Sequence, residues 1–221
     1  MEAGDFVYIE YVGRIKDTKE IFDLTKEDIA KKENVFNPKF KYGPVPVIID
    51  EKFVLPGLND ALKEMKVGEK KTVEIPPEKG FGQRNPQFVK LFQGSMFKER
   101  EQDPKPGAFV TINNAKGRIM SVDGGRVKVD FNHPLAGKTL EYELEIIRKI
   151  VEIDEKIKAV SYYFTGIEKD GLEVEIKKKT AEITIKSKAN VFRETKETIT
   201  KTITKWIPKV EKVKFIEIFE K

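Results

Sequence analysis

Two hydrophobic rhythms run through the chain, one of period two and one of period 3.6. From Phe6 to Lys16 the pattern alternates, with Val7, Ile9, Tyr11 and Ile15 on one face. The opposite face mixes Phe6, Tyr8 and Val12 with Glu10 and Arg14, which predicts a strand in a sheet covered on one side and partly on the other. Lys138 to Ile147 alternates more cleanly, Leu140, Tyr142, Leu144 and Ile146 against Thr139, Glu141, Glu143 and Glu145. Leu58, Ala61, Leu62 and Met65 recur at helical spacing and make one apolar stripe, which Gly68 terminates. A strand from Lys71 to Ile75 follows and stops at Pro76-Pro77. Pro44 to Ile49 leads into the sheet as an edge or bulge, and Thr25 with Asp28 has the form of a capping box opening a short helix to about Lys32.

Beyond Gly82 the rhythm becomes shorter. Gln87 to Phe92, Ala108 to Ile112, Ala115 to Ser121 and Gly125 to Phe131 read as strands, with hairpin signals at Asn113-Asn114 and Asp123-Gly124-Gly125. A module of about fifty residues has difficulty burying a full core, so its apolar side chains should stay partly accessible for binding. The candidates are Phe88, Leu91, Phe92, Met96, Phe97, Ile119 and Met120. From about Val151 the pattern predicts a helix from Asp154 to Gly166, a hairpin of Leu172–Lys177 with Ala181–Lys186, a helix from Asn190 to Ile207, and a strand from Val210 to Phe219. Phe192, Ile199, Ile203 and Trp206 fall on one side of that second helix, despite its many threonines. The fold class is therefore α+β, and 221 residues exceed the roughly 100 to 150 of one ordinary domain.

Charge and composition narrow the chemistry. The 42 basic and 37 acidic residues leave +5, interspersed rather than blocked, so a dedicated nucleic-acid surface is not expected. Without cysteine there are no disulfides and no thiol catalysis. The only histidine, His133, lacks the ligand company of a metal site, so neither a metal nor another cofactor is expected. No apolar run reaches the roughly 20 residues of a membrane span, and a soluble, cytoplasmic protein is expected.

Three linked segments carry a resemblance. Val54-Leu55-Pro56-Gly57-Leu58 opens the first apolar helix, Met65-Lys66-Val67-Gly68-Glu69-Lys70 closes it, and Phe81-Gly82 follows the next strand. Their order and spacing resemble the FK506-binding-protein (FKBP) family of peptidyl-prolyl isomerases, whose Phe-Asp pair is matched at Phe22-Asp23. Roughly fifty residues interrupt the flap before Asn132-His133-Pro134-Leu135-Ala136-Gly137, as in the insert-in-flap subfamily that includes the bacterial SlyD chaperones and archaeal FKBPs. The resemblance implies an isomerase domain at 1–84 and 132–150, an insert-in-flap chaperone domain at 85–131, and an α+β C-terminal domain at 151–221.

By the same resemblance the pocket is formed by Tyr11, Phe22, Asp23, Val54, Leu55, Leu58, Phe81, Leu135 and Tyr142. Leu58 would be its floor, and Val54 and Leu55 would offer backbone groups to an extended substrate. Leu58 stands where larger members often carry tryptophan, and Phe81 where they carry tyrosine; the second change puts tight macrolide binding in doubt. The implied partners are unfolded or partly folded chains containing proline, and a homodimer contact through 151–221 is a further expectation. A catalytically weak holdase and a ribosome- or RNA-associated nascent-chain factor remain the alternatives.

Overall fold

The computed structural model describes residues 1–98, 104–186 and 190–218. In chain order it contains β1 (Phe6–Ile15), β2 (Ile21–Leu24), α1 (Glu27–Lys32), β3 (Val45–Ile48), α2 (Pro56–Glu64), β4 (Lys70–Ile75) and β5 (Val89–Gln93). There follow α3 (Ser95–Lys98), β6 (Phe109–Ile112), β7 (Ala115–Asp123), β8 (Arg126–Asp130) and β9 (Leu140–Ile150). The last part holds α4 (Ile153–Thr165), β10 (Leu172–Lys177), β11 (Thr180–Ile185), α5 (Arg193–Trp206) and β12 (Lys212–Glu217). The chain forms two compact units, Met1–Glu74 with Glu141–Lys221, and Ile75–Leu140. Among the described residues no helix is long and apolar enough to cross a membrane.

The first unit is built on a sheet of order β2-β1-β9-β4, with β3 also pairing β1. Pro56 occupies the first turn of α2, where its missing N–H leaves no hydrogen bond unmade. Leu58, Ala61, Leu62 and Met65 are buried, so the predicted stripe is the inward face of this helix. Gly68, at φ 81°, turns the chain out of the helix and donates its N–H to the Ile146 carbonyl at 2.7 Å. The capping box does not form. Thr25 is buried beside β1, its Oγ1 accepting from Tyr11 N at 2.9 Å, and Lys26 takes the N-cap position of α1 with no side-chain bond. The competing partner was the backbone of β1, which a local pattern cannot display.

The mixed face of β1 acquires its explanation from the C-terminal segment. Phe6, Tyr8, Ile48 and Ile150 share one core with Ile157 and Val160 of α4, Ile183 of β11, and Ile199 and Ile203 of α5. In sequence the segment reads as a separate α+β domain; in three dimensions it closes the outer side of the sheet. Its own sheet has the order β10-β11-β12, antiparallel in the hairpin and parallel between β11 and β12, because α5 carries the chain back to the starting end. The threonines of α5 are accommodated by back-bonding: Thr198, Thr200, Thr202 and Thr204 each donate to the carbonyl four residues earlier, at 2.8–3.0 Å. The expected stripe on α5 is shorter than predicted. Phe192 is the N-cap residue and is 68% exposed, while Trp206 packs on Gly4, where an added Cβ would lie 2.9 Å from the indole. The final strand stops at Glu217, and Phe219 lies outside the described residues.

The second unit carries a sheet of order β5-β8-β7-β6. Phe97, Val110, Ile112, Ile119, Val127 and Val129 form its core, with Phe92, Met96 and Phe131 packed against it. Both predicted hairpins exist. Asn113 and Asn114 have φ of 49° and 63°, Gly124 and Gly125 of 52° and 75°, the paired positive values of a type I′ turn that matches strand twist. Gly117 lies under Val129 and Phe131, where a Cβ would come within 2.6 Å of a methyl carbon, so β7 can cross there only without a side chain.

Candidate active site

Four of the sequence-predicted pocket residues meet on neighbouring strands of the first unit. Tyr11 lies on β1, Phe22 and Asp23 on β2, and Tyr142 on β9. The antiparallel register sets Gly13 opposite Asp23, and a bulge follows between Gly13 and Arg14. Tyr142 makes T-shaped contacts with two rings: Tyr11 at 5.6 Å between centroids and 63°, and Phe22 at 5.6 Å and 86°. Such edge-to-face contacts direct ring hydrogens at a π face and fix ring orientation.

Gly13 makes the cluster possible. A Cβ there would fall 2.9 Å from the Tyr142 ring and 3.0 Å from that of Phe22, so both aromatics rest on bare backbone. The residue is absent from the sequence-predicted set, because its φ is unexceptional and its value lies in what crosses above it.

The Tyr11 hydroxyl is held rather than reactive. Tyr11 donates to Asp23 Oδ2 at 2.8 Å. Burial, and then the Asp23 carboxylate, push the Tyr11 pKa far above its ordinary value, with smaller contributions from Tyr142 and Tyr163. Tyr142 is displaced the same way, first by burial and then by Asp23. Both phenols remain protonated donors. Asp23 itself is exposed. Thr25 pins the Tyr11 backbone on both sides, since Thr25 N also donates to Tyr11 O at 2.9 Å.

Leu58 is 2% exposed on α2, consistent with a floor, and Val54 and Leu55 are partly buried at the entrance to that helix. The Leu55 carbonyl accepts from Asn59 N at 3.0 Å. Phe81 and Leu135 belong to the second unit. There Phe81 stacks on His133 at 4.4 Å and 5°, and His133 Nδ1 accepts from Leu135 N at 3.2 Å, which gives the single imidazole a structural task.

The second unit also carries the predicted client-binding residues, and it divides them. Phe88, Leu91 and Met120 are exposed, at 51%, 63% and 46%. Phe97 and Ile119 are each 1% exposed and belong to the core, which corrects their assignment as binding residues. Phe92 and Met96 are partly buried against that core. Val122 is exposed as well, and so is Phe109, which the sequence reading did not name. Register pairs Leu91 with Lys128, and Phe109 with Arg118, so each of these exposed apolar groups lies beside a cationic one.

Comparison with known proteins adds two family profiles, described as "FKBP26, IF domain" at residues 95–135 and "FKBP26_C-terminal" at residues 153–220. A short-type peptidyl-prolyl cis-trans isomerase of Methanocaldococcus jannaschii is 31% identical over 66% of this chain and 92% of its own length. A probable FKBP-type 16 kDa peptidyl-prolyl cis-trans isomerase of Pseudomonas fluorescens is 40% identical over 49% of this chain and 74% of its own. An FKBP-type isomerase SlyD of Aeromonas hydrophila is 32% identical over 47% and 50% respectively.

Proposed function

The chain belongs to the FKBP-type peptidyl-prolyl cis/trans isomerases, and from that premise we propose that it turns X-Pro bonds over the Tyr11–Phe22–Tyr142 cluster while the insert holds unfolded client chains. The observation that carries the reading is the ring cluster seated on Gly13, with no side chain in it poised to attack a carbonyl.

Amide rotation needs no nucleophile. The barrier, roughly 18–20 kcal/mol, comes from resonance that is lost as the C–N bond twists. Water bonded to the carbonyl favours the planar, charge-separated form, so an apolar slot that strips it favours the twisted one. This is differential binding of the transition state, achieved by shape and desolvation. Tyr11, fixed by Asp23 and permanently protonated, supplies a rigid polar edge beside the rings.

For the insert, the supporting observation is an open sheet face on which Leu91 is paired with Lys128 and Phe109 with Arg118. Unfolded chains expose apolar side chains and backbone carbonyls together, and such a face suits both. Capture on the same chain as the pocket raises the local concentration of client prolines, towards the millimolar range on the order expected for short links. The extended exposure of Phe192 and Ile218 also supports a homodimer through 151–221. Sedimentation at high micromolar concentration should then report a dimer, and a monomer would count against it.

The decisive experiment measures proline isomerisation of a tetrapeptide by the intact protein and by Tyr142→Ala. A folded Tyr142→Ala variant should lose about tenfold or more in kcat/KM. Unchanged turnover would remove the cluster from the mechanism.

A further inference from the structure

A cleft of about 480 Å³ opens within the first unit, between the loop that leads into β3 and the turn at residues 168–170 that follows α4. Tyr8 of β1, Tyr42, Pro44, Ile147 and Tyr162 of α4 supply its rings and apolar surface. Tyr8 and Tyr11 are three positions apart on β1 and so stand on opposite faces of the strand, which sets this cleft apart from the ring cluster of the isomerase site. Gly43 leaves part of the wall as bare backbone: its φ is 121°, and an added Cβ would meet nothing within 4 Å. Through Tyr42 the apolar surface continues onto Phe36, which is 41% exposed and stacks on the Tyr42 ring at 5.4 Å and 20°.

The polar groups of the lining decide what fits. Its three cations are already paired, Lys41 with Glu168 at 2.7 Å, and Arg148 and Lys169 with Glu155, each at 3.0 Å. An anion therefore finds no open partner. Asp170, which is exposed, makes no ion pair among the described residues, so the charge left over is negative. The hydroxyls are donors. Tyr42 Oη already accepts from Asn37 N at 2.9 Å, which leaves its proton to give, and the Tyr162 hydroxyl makes no hydrogen bond among the described residues.

Rings, hydroxyl donors and one uncompensated carboxylate complement a chain that offers flat aliphatic rings, carbonyls without N–H groups, and a cation. A polyproline II segment is such a chain: its carbonyls are unpaired, its prolines donate nothing, and it is extended before it binds, so little ordering entropy is lost. We propose that this cleft is a second binding site, separate from the isomerase pocket, for an extended proline-rich segment of another polypeptide that carries a lysine or arginine. The site goes beyond the isomerase reading, since the segment is held there without being turned over.

The test titrates the full chain into a fluorescein-labelled, proline-rich nonapeptide with one arginine, followed by anisotropy. Two controls replace the arginine by glutamate, or the prolines by alanine. The arginine peptide should bind about tenfold more tightly than either control, and an excess of the tetrapeptide isomerase substrate should not displace it. Tyr162→Ala should weaken binding about tenfold while tetrapeptide turnover stays within about twofold. Tyr162→Phe, which keeps the ring and loses one donor, should weaken it about threefold. Asp170→Lys, at an exposed position, should erase the preference for arginine over glutamate, and with Tyr162→Phe it decides the matter should Tyr162→Ala fail to fold. Displacement by the tetrapeptide, with binding unchanged in Tyr162→Phe and Asp170→Lys, would put the segment in the isomerase pocket and overturn the proposal. Equal affinity for the alanine peptide would make the cleft a general holder of chains, and tighter binding of the glutamate peptide would make it an anion site; either result overturns it, as does no binding by the wild type.

Discussion

Gly13 carries no functional group, yet the site depends on it more than on any hydroxyl. Adding one methyl there forces Tyr142 and Phe22 off their seats, and overpacking of that kind typically destabilises by about 1–3 kcal/mol. Gly13→Ala should therefore lower both the melting temperature and tetrapeptide turnover, the latter by about tenfold, whereas Tyr142→Phe, which keeps the ring, should stay within about threefold. A Gly13→Ala enzyme of normal activity would mean the rings need not sit where they do. The raised pKa values of Tyr11 and Tyr142 give a second expectation at this scale. Neither phenol ionises near neutrality, so kcat/KM for a peptide without titratable groups should be flat from about pH 6 to 9. A break in that profile would assign a proton to the reaction. Tyr11, Phe22, Asp23 and Tyr142 are named in the sequence only through the family resemblance, Phe22 and Asp23 by its Phe-Asp pair. Gly13 is not, since it acts through a partner far away in the chain, Tyr142. The burial of Phe97 was equally hidden: a size argument says that some apolar residues of a small module stay outside, but not which ones.

Among the elements, α4 has the most instructive attachment. Glu155 takes both Arg148 nitrogens and Lys169 Nζ, while Arg148 and Lys169 lie over the Tyr8 ring, each at 4.7 Å. Bonding from Arg148, aided by Lys169, pulls the Glu155 pKa from 4.5 down to about 2. The folded-state value is the lower one, so this contribution is complete above the unfolded pKa and disappears as pH falls from about 4.5 towards 2. Melting curves should accordingly separate wild type from Glu155→Gln at pH 6 and bring them together near pH 2. A constant gap across that range would detach stability from this carboxylate. The helix itself, and the hairpin after it, were readable from period alone, with ends within a residue or two. The parallel placement of β12 was not, because alternation marks a strand without saying which neighbour it joins or in which direction. The failed capping box at Thr25 has the same cause, a short-range pattern overruled by a partner on another strand.

At the scale of the molecule, the isomerase reading and the proposed client-holding role rest on different surfaces. Replacing Leu91, Phe109 and Met120 by polar residues removes exposed apolar area without touching the core of the insert. Tetrapeptide turnover should stay within about threefold, while proline-limited refolding of a whole protein should fall by about tenfold or more, because only a long client uses the second contact. Equal losses on both substrates would show that the insert supports the pocket rather than feeding it. The sequence displays this division through its change of rhythm after Gly82. It does not display that the C-terminal segment shares a core with Phe6 and Tyr8, since the two stretches are more than 140 residues apart.

The nesting of the second unit within the first has a kinetic side. β4 and β9 are neighbours in one sheet, yet residues 76–139 lie between them in the chain. While those residues are unfolded, pairing the two strands means closing a long flexible loop, an entropic penalty that grows as about (3/2)RT ln n. Once the insert has formed its own hairpins, whose turns are local and fast, most of that loop has already been shortened. The insert is thus placed to act first on the chain that contains it: its early folding brings the last strand of the sheet within reach of the others, before any client arrives.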